Sequence, residues 1–286
     1  MDKKGTLYVI ATPIGNLEDI TRRAVRILSE VDLIAAEDTR RSRKLLSHLG
    51  ISKPHISHYR HNQKRSGKAL LLKLKQGMKV ALLTDAGTPG LSDPGAILVS
   101  MAREAGFPVV PVPGASALAA AVSVSSIPCD YFTFVGFLPA RKGARREKIL
   151  ELRDREEPLI LYEAPHRLLQ ALEDMREILG DRLALLEREL TKVHEEFIYA
   201  PLSELIKIYK RRKPRGEITL IVEGKQKAEA SYDQAELERE LKTRLLKDKQ
   251  SLKETVDELR PLYHLSHRDL YRVALAIKHG RDPEKD

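Results

Sequence analysis

The sequence predicts an α/β protein: two α/β domains, residues 1–115 and 116–225, followed by a small helical domain at 232–286. Three observations predict it. Short apolar runs alternate with stretches of helical periodicity, the pattern of strand–helix units that build a mainly parallel sheet. The runs end in loops rich in proline and glycine, where open α/β sheets bind ligands. From residue 224 onward the strand-like runs stop and helical stretches alone remain.

The elements follow in order. Leu7–Ala11 reads as the first strand, and Thr12–Asn16 as its loop. Asn16, with Asp19 three residues on, marks a helix N-cap, and Ile20, Ala24, Ile27, Leu28 and Val31 repeat at helical spacing. Strand Leu33–Ala36 leads to the charged stretch 37–44, and the mixed basic stretch 58–68 reads as a loop before a helix at 69–76. Val80–Leu83 is a short apolar run of the kind a buried parallel strand shows. It ends in Asp85–Gly95, a stiff polar loop with three glycines, two prolines, Asp85 and Asp93. A helix at 96–105, a strand at 108–112 and an alanine-rich helix at 116–124 follow. The second domain offers strands at 132–135, 159–162, 183–186, 197–200 and 218–222, with helices at 165–179 and 202–210. Gly224–Ser231 reads as a linker. Beyond it, Ser251 with Glu254 and Ser266 with Asp269 make capping-box starts for two short helices. The pair resembles a helix-turn-helix, but two short helices are common in proteins that bind no nucleic acid, so a small helical cap or dimerisation arm is the favoured reading.

Fifty Lys and Arg against 41 Asp and Glu leave a net charge of +9. The tail from residue 233 carries equal numbers of both signs, so the basic excess lies in the body and points to a polyanionic partner such as RNA. One cysteine, Cys129, gives neither a disulfide framework nor a cysteine-based zinc site, and suits a reducing cytoplasm. No apolar run is long enough to span a membrane, and no signal peptide is read at the N-terminus.

The common nucleotide and hydrolase motifs are missing: no Walker A sequence, no Gly-x-Gly-x-x-Gly after the first strand, no Gly-x-Ser-x-Gly elbow. His55, His58 and His61 have ligand-like spacing but lie in a basic stretch without an adjacent carboxylate, so they read as a solvated or RNA-facing loop and no metal site is expected. What remains is a set of loops at strand ends: Thr12–Asn16, Asp85–Gly95, Pro113–Ala117, Tyr162–Pro165, Arg188–Lys192 and Gly216–Glu217. Such loops present backbone carbonyls and amides to a neutral or cationic ligand, whereas a phosphate cradle wants lysine or a glycine-rich helix start.

Eight segments, in order along 1–224, carry a resemblance: ATPIGNLEDI (11–20), AEDTRRSRKLL (36–46), LLTDAGTPGLSDPG (82–95), VPVPGASAL (110–118), FVGFLPARKGARR (134–146), LILYEAPHRL (159–168), ERELTKVHEE (187–196) and GEITLIVEG (216–224). The sequence resembles the tetrapyrrole methylase superfamily and, within it, the ribosomal RNA small subunit methyltransferase I family. The resemblance implies two α/β domains with S-adenosylmethionine (AdoMet) folded into the cleft between them, commonly in a homodimer. It implies cofactor contacts at Pro13 and Ile14, at Asp85, Thr88 and Pro89, at Ser116 and Ala117, at Tyr162, and at Leu190, Glu217 and Ile218. Where the superfamily's central loop begins Gly-Asp-Pro, this chain has Thr84-Asp85-Ala86.

The activity implied is AdoMet-dependent methylation of a cytidine ribose 2′-hydroxyl in small-subunit (16S) ribosomal RNA, on free RNA or the assembled subunit, in the cytoplasm. A sulfonium cation wants carbonyls and an acid nearby and no lysine against the sulfur. A 2′-hydroxyl is a poor nucleophile, so a base or a cation that steadies the alkoxide helps. The candidates are Glu189 as base and Lys192 or Arg40 as cation, against the alternative that these charges only pair with one another. RNA contacts fall to Arg40, Arg41, Arg43 and Lys44, to Arg141, Lys142, Arg145 and Arg146, and to the basic run 210–215, all read as loops beside the cleft. Two rival readings are an AdoMet-dependent tetrapyrrole methyltransferase and a non-catalytic rRNA-binding module.

Overall fold

A computed structural model of the chain describes residues 4–226, 234–263, 265 and 267–279. They divide into two compact units, one up to Lys225 and one from Gln226. The first unit holds two five-stranded sheets.

The first sheet is built from β1 (Thr6–Ile10), α1 (Arg22–Glu30), β2 (Leu33–Ala36), α2 (Thr39–His48), β3 (His55–Ser57), α3 (Gln63–Lys75), β4 (Lys79–Leu83), α4 (Ala96–Glu104) and β5 (Val109–Val112). Its order is β3-β2-β4-β1-β5, parallel throughout. Helices cover both faces, so β2 and β4 read as continuous apolar runs. On one face Ile10, Ile34, Ala81 and Leu83 pack against Ala24, Ile27, Leu28 and Leu46. On the other, Leu7, Val80 and Leu82 pack against Leu70, Leu74, Leu98 and Ala102. Because β1 and β4 are neighbours, their carboxyl-end loops meet. Thr12 and Gly87 exchange both backbone hydrogen bonds, at 2.9 and 3.0 Å.

The second sheet follows α5 (Ala117–Ser123): β6 (Thr133–Phe137), α6 (Lys142–Glu151), β7 (Leu159–Glu163), α7 (Pro165–Leu179), β8 (Leu183–Arg188), β9 (Glu196–Pro201), α8 (Leu202–Arg211) and β10 (Ile218–Val222). Its order is β6-β7-β10-β8-β9, with β6 and β7 parallel and the remaining pairs antiparallel. Leu161, Leu186 and Leu220 face Leu168, Leu172, Leu205 and Ile206 of α7 and α8. The opposite face, with Ile160, Leu185 and Ile221, packs on Ala121 of α5 and on Ile14 and Leu190.

The second unit is helical: α9 (Gln234–Lys242), a short π-helical turn at Thr243–Lys247, α10 (Leu252–Tyr263) and α11 (His267–Lys278). Its own core includes Leu237, Leu241, Val256, Leu259, Leu270 and Ala274. Ser251 and Glu254 form the expected reciprocal cap, Glu254 N–H donating to Ser251 Oγ at 3.2 Å and Ser251 N–H to Glu254 Oε2 at 3.3 Å. The Ser266–Asp269 start, and most of the proposed linker, lie outside the described residues.

Four local expectations change. Asn16 caps a single 3-10 turn, Leu17–Asp19, because its side chain accepts Glu18 N–H two residues on. The helix proper starts at Arg22 under Thr21, whose hydroxyl accepts Ala24 N–H at 3.1 Å. The 37–44 stretch opens α2, capped by Asp38. The histidine stretch is only partly a solvated loop: His55 lies in β3 and His58 is buried with Nδ1 2.7 Å from Ser66 Oγ, while His61 is exposed in the turn before α3. Finally, 142–151 is helix α6 rather than loop. Its inner face is Arg145 and Ile149, so the apolar repeat that announces a helix is replaced there by a buried arginine.

Candidate active site

A cleft of about 290 Å³ opens where the loops after β1 and β4 and the start of α5 meet the ends of β7, β8 and β10. From the first sheet it takes Ile14, the 86–93 part of the central loop, Ser116 and Ala117. From the second it takes Phe137, Tyr162–Pro165, Leu190 and Gly216–Thr219. The Thr12–Gly87 bridge sets the loops, and Gly87 supplies the left-handed φ of +80° that the turn needs. Thr12 Oγ1 donates to Thr84 O at 3.3 Å, and Thr88 Oγ1 to Ala115 O at 3.2 Å. Tyr162 Oη accepts Leu118 N–H at 3.0 Å, fixing the first turn of α5 to β7. The rings of Phe134 and Phe137 stand edge-on to Tyr162 at 5.1 and 5.6 Å. Burial pushes the Tyr162 phenol above its ordinary range, so it stays protonated.

An acidic patch lies on one wall. Asp93 Oδ2 accepts Thr84 Oγ1 at 2.7 Å, and Glu37 Oε2 lies 3.3 Å from the same hydroxyl. Burial raises the pKa of both carboxyls above the ordinary carboxylate value; neighbouring carboxylates push the same way, and the Thr84 hydrogen bond opposes them. Among the described residues no cluster of His, Cys, Asp and Glu could hold a metal ion.

Of the predicted cofactor residues, Ile14, Thr88, Ser116, Ala117, Tyr162, Leu190, Glu217 and Ile218 line the cleft. Pro13 is buried behind the wall. Pro89 lines a neighbouring depression with Leu82 and Val99. Asp85 is turned away: its carboxylate accepts Asp38 N–H at 3.0 Å and lies 3.4 Å from Arg41. Sequence reading missed Asp93, Phe137, Glu163 and Thr219 in the lining. Asp93 was in view in its loop, but nothing local separates its role from that of Asp85. Thr219 was hidden in an apolar run, where only sheet register shows that it shares a face with Tyr162.

The catalytic candidates are engaged with one another. Lys192 Nζ lies 2.7 Å from Glu189 Oε1 and 3.1 Å from Glu217 Oε2. Glu189 also accepts Glu217 N–H at 2.9 Å. Burial of Glu189 favours its neutral form, but Lys192 and the Glu217 amide outweigh it and hold the carboxyl below its usual range. Arg40 is paired with Asp38 at 2.8 Å on the exposed side of α2. None of Glu189, Lys192 and Arg40 is in the cleft lining.

The basic clusters separate. Arg41, Arg43 and Lys44 ride on α2, and Arg43 borders a depression with Lys53 and His55. Arg141 and Lys142 are exposed at the start of α6. Arg145 is not on the surface at all: it is 2% exposed, its Nε 2.7 Å from Asp174 Oδ2. Arg146 is shared between Asp174 and Glu177, which leaves little of its charge for another anion. Both are corrections to the RNA-contact set, and both arise because Asp174 on α7 is buried and needs cations.

AdoMet, the cofactor that the resemblance implies, fits this lining. No lysine or arginine lines the cleft, Asp93, Glu163 and Glu217 do, and much of the remaining wall is apolar side chain and loop backbone. That donor set suits a sulfonium-bearing nucleoside and disfavours a polyphosphate.

Comparison with known proteins agrees. A profile of the Tetrapyrrole (Corrin/Porphyrin) Methylases family matches residues 6–206. The chain is 44% identical over 278 residues to a ribosomal RNA small subunit methyltransferase I from Haemophilus influenzae, covering 96% of this chain and 98% of that one. It is 42% identical over 279 residues to the protein of the same name from Synechocystis, covering 96% and 99%. Among solved structures, uroporphyrin-III C-methyltransferase from Thermus thermophilus in complex with S-adenosylhomocysteine superposes with a TM-score of 0.57 at 19% identity, over 77% of this chain and 97% of that one. A cobalt precorrin-4 methyltransferase gives 0.57 at 18% identity, over 76% and 94%. At those identities the likeness concerns the fold alone.

Proposed function

The chain belongs to the tetrapyrrole methylase family and, within it, to the ribosomal RNA small subunit methyltransferase I family; from that premise we propose that it methylates a cytidine ribose 2′-hydroxyl in small-subunit ribosomal RNA. It is an AdoMet-dependent methyltransferase. The observation that carries the proposal is a cleft with acids and no cations in its lining, in a body that holds the whole basic excess of the chain. A cationic cofactor suits the first and a polyanionic substrate the second.

Bound AdoMet supplies a methyl group on a sulfonium cation. The chain's residues bind and orient. Leu190 and Ile218 would give apolar walls to the nucleoside, and Ser116, Thr88 and the loop backbone would give it polar contacts. Tyr162, tied to α5, holds the two halves of the cleft at a fixed spacing, and such positioning supplies much of the rate of an in-line displacement. Arg41, Arg43, Lys44, Arg141, Lys142 and the exposed basic residues of 210–215 would meet phosphates of the substrate.

The active form in this reading is a homodimer. Phe197 and Tyr199 alternate outward on β9, an edge strand of the second sheet, and are 44% and 48% exposed. Large apolar side chains standing out from such an edge are the usual material of a two-fold contact. Sedimentation velocity of the Phe197→Asp variant, expected to run as a monomer, tests this.

The function itself is tested by transfer of labelled methyl from AdoMet to unmodified small ribosomal subunits, naked rRNA and a tetrapyrrole in parallel. Label in a cytidine ribose supports the proposal; label only in the tetrapyrrole removes it.

A further inference from the structure

The ion pair that occupies Glu189 leaves the reaction without its expected base, and the cleft holds another carboxylate better placed for the task. We propose that Asp93 is the catalytic base, the group that takes the 2′-hydroxyl proton of the acceptor ribose; this rests on the ribose-methylation reading above. Asp93 is in the cleft lining, and Glu189 is not. Its Oδ2 is pinned by Thr84 Oγ1 at 2.7 Å, and Thr84 O is in turn held by Thr12 Oγ1 at 3.3 Å. Among the described residues no hydrogen bond engages Oδ1, and no lysine or arginine pairs with Asp93. Arg41, on α2, lies 3.4 Å from the Asp85 carboxylate. One oxygen is therefore oriented and the other is available, which a base requires.

The backbone makes a specific accommodation to put it there. Ser92, immediately before Asp93, holds a left-handed φ of +66°, a conformation that costs a non-glycine residue energy. Opposite it, Gly136 sits at a register shift in β6 with φ +69°. A Cβ on Gly136 would lie 2.8 Å from Ser92 Oγ, so the glycine is what lets the central loop of the first sheet close onto the second.

The electrostatics fit the role. The groups facing Asp93 are Thr84 at the end of β4, Glu37 after β2, Asp85 in its own loop, Tyr162 on β7 and Glu217 before β10. Burial raises the Asp93 pKa above its ordinary value, with Asp85 and Glu217 adding and the Thr84 hydrogen bond opposing. A carboxylate raised in this way is a stronger base than a surface aspartate, while Glu189 is shifted the other way. The step balances. A lone pair of the 2′-oxygen forms the O–CH₃ bond as the S–CH₃ bond breaks and its electron pair returns to sulfur. The 2′-hydroxyl proton passes to Asp93 Oδ1, leaving a methylated ribose, a neutral thioether and a protonated Asp93, which then loses its proton to water.

The test compares the wild-type protein with Asp93→Asn, Asp93→Glu and Thr84→Val. Single-turnover methyl transfer to small subunits is read beside AdoMet affinity by calorimetry and the titration of the Asp93 carboxyl carbon by NMR. The expected result is a fall of roughly 10²–10⁴-fold in the single-turnover rate of Asp93→Asn, with AdoMet affinity close to wild type and partial recovery in Asp93→Glu. Thr84→Val removes a hydrogen bond that lowers the Asp93 pKa, so the acid limb of the rate profile and the Asp93 titration should move together to higher pH. An Asp93→Asn rate comparable to wild type overturns the assignment. So does a loss confined to AdoMet affinity and restored at saturating AdoMet, which would make Asp93 a cofactor ligand. If the wild-type protein binds AdoMet but puts no methyl on a ribose, the proposed function fails first, and the base assignment fails with it.

Discussion

Tyr162 Oη accepts the backbone N–H of Leu118 at 3.0 Å, and this one bond joins the second sheet to the first turn of the helix that enters from the first. It crosses the cleft wall, because Ser116 and Ala117 just before Leu118 and the Tyr162 ring all line the cavity. The bond therefore sets the width of the cofactor site as well as stabilising the fold. Tyr162→Phe keeps the ring contacts with Phe134 and Phe137 and removes only the acceptor. It should cost about 1 kcal/mol, seen as a several-fold weaker AdoMet dissociation constant by calorimetry. Unchanged affinity would mean that the spacing is set elsewhere.

Arg145 and Asp174 form a buried pair, 3% and 7% exposed at the side chain. Arg145→Ala strands a carboxylate that Arg146 alone must then neutralise. The expected loss of stability is about 3–5 kcal/mol by urea unfolding. A loss typical of a surface arginine would place the pair outside the core.

The Glu189–Lys192 pair gives a pH-dependent prediction. The Glu189 pKa is depressed in the folded chain, so its stabilising contribution is present above the unfolded carboxylate value. It disappears as pH falls through the depressed folded value. Glu189→Gln should thus be less stable than wild type by about 1 kcal/mol at neutral pH, and the two unfolding curves should converge in acid. A gap that persists in acid would point to lost packing rather than lost charge. Turnover of this variant should stay within the range of a loop-loosening change, since Asp93 and not Glu189 is assigned the proton.

The basic clusters make unequal predictions for RNA. Lys142→Ala should reduce the slope of log affinity against log salt by about one phosphate contact. Arg146→Ala should leave the slope close to wild type, because its guanidinium is committed to Asp174 and Glu177. Filter binding to small-subunit rRNA across a salt series reads both. Equal effects would place Arg146 among the RNA contacts after all.

The strand-and-loop frame was legible in sequence because parallel strands announce themselves as short apolar runs. Leu33–Ala36 and Ile218–Val222 are found at their expected bounds, as is α7 with Pro165 at its first turn and Gly180 after its end. Short or polar elements were not. β3 is three residues long, and α6 turns an arginine inward where the eye looks for a leucine. The same physics limited the site. Loop position located Ser116, Tyr162 and Ile218, since strand ends converge on the crevice whatever their side chains. The choice between Asp85 and Asp93 depended on which one Arg41 and the Asp38 amide would capture, and that is settled by partners 40 or more residues away. Charge runs misled for a related reason. Arg145 looked like surface because its partner Asp174 lies 29 positions along the chain.

Methyl transfer to a ribose of small-subunit rRNA is tested by following the label to the nucleoside that carries it. Purified protein is incubated with labelled AdoMet and small ribosomal subunits that lack the modification, and the RNA is digested to nucleosides. Label is expected in a single cytidine, on the 2′-oxygen of its ribose. Label on a base, or in an added tetrapyrrole with none in the RNA, would contradict it.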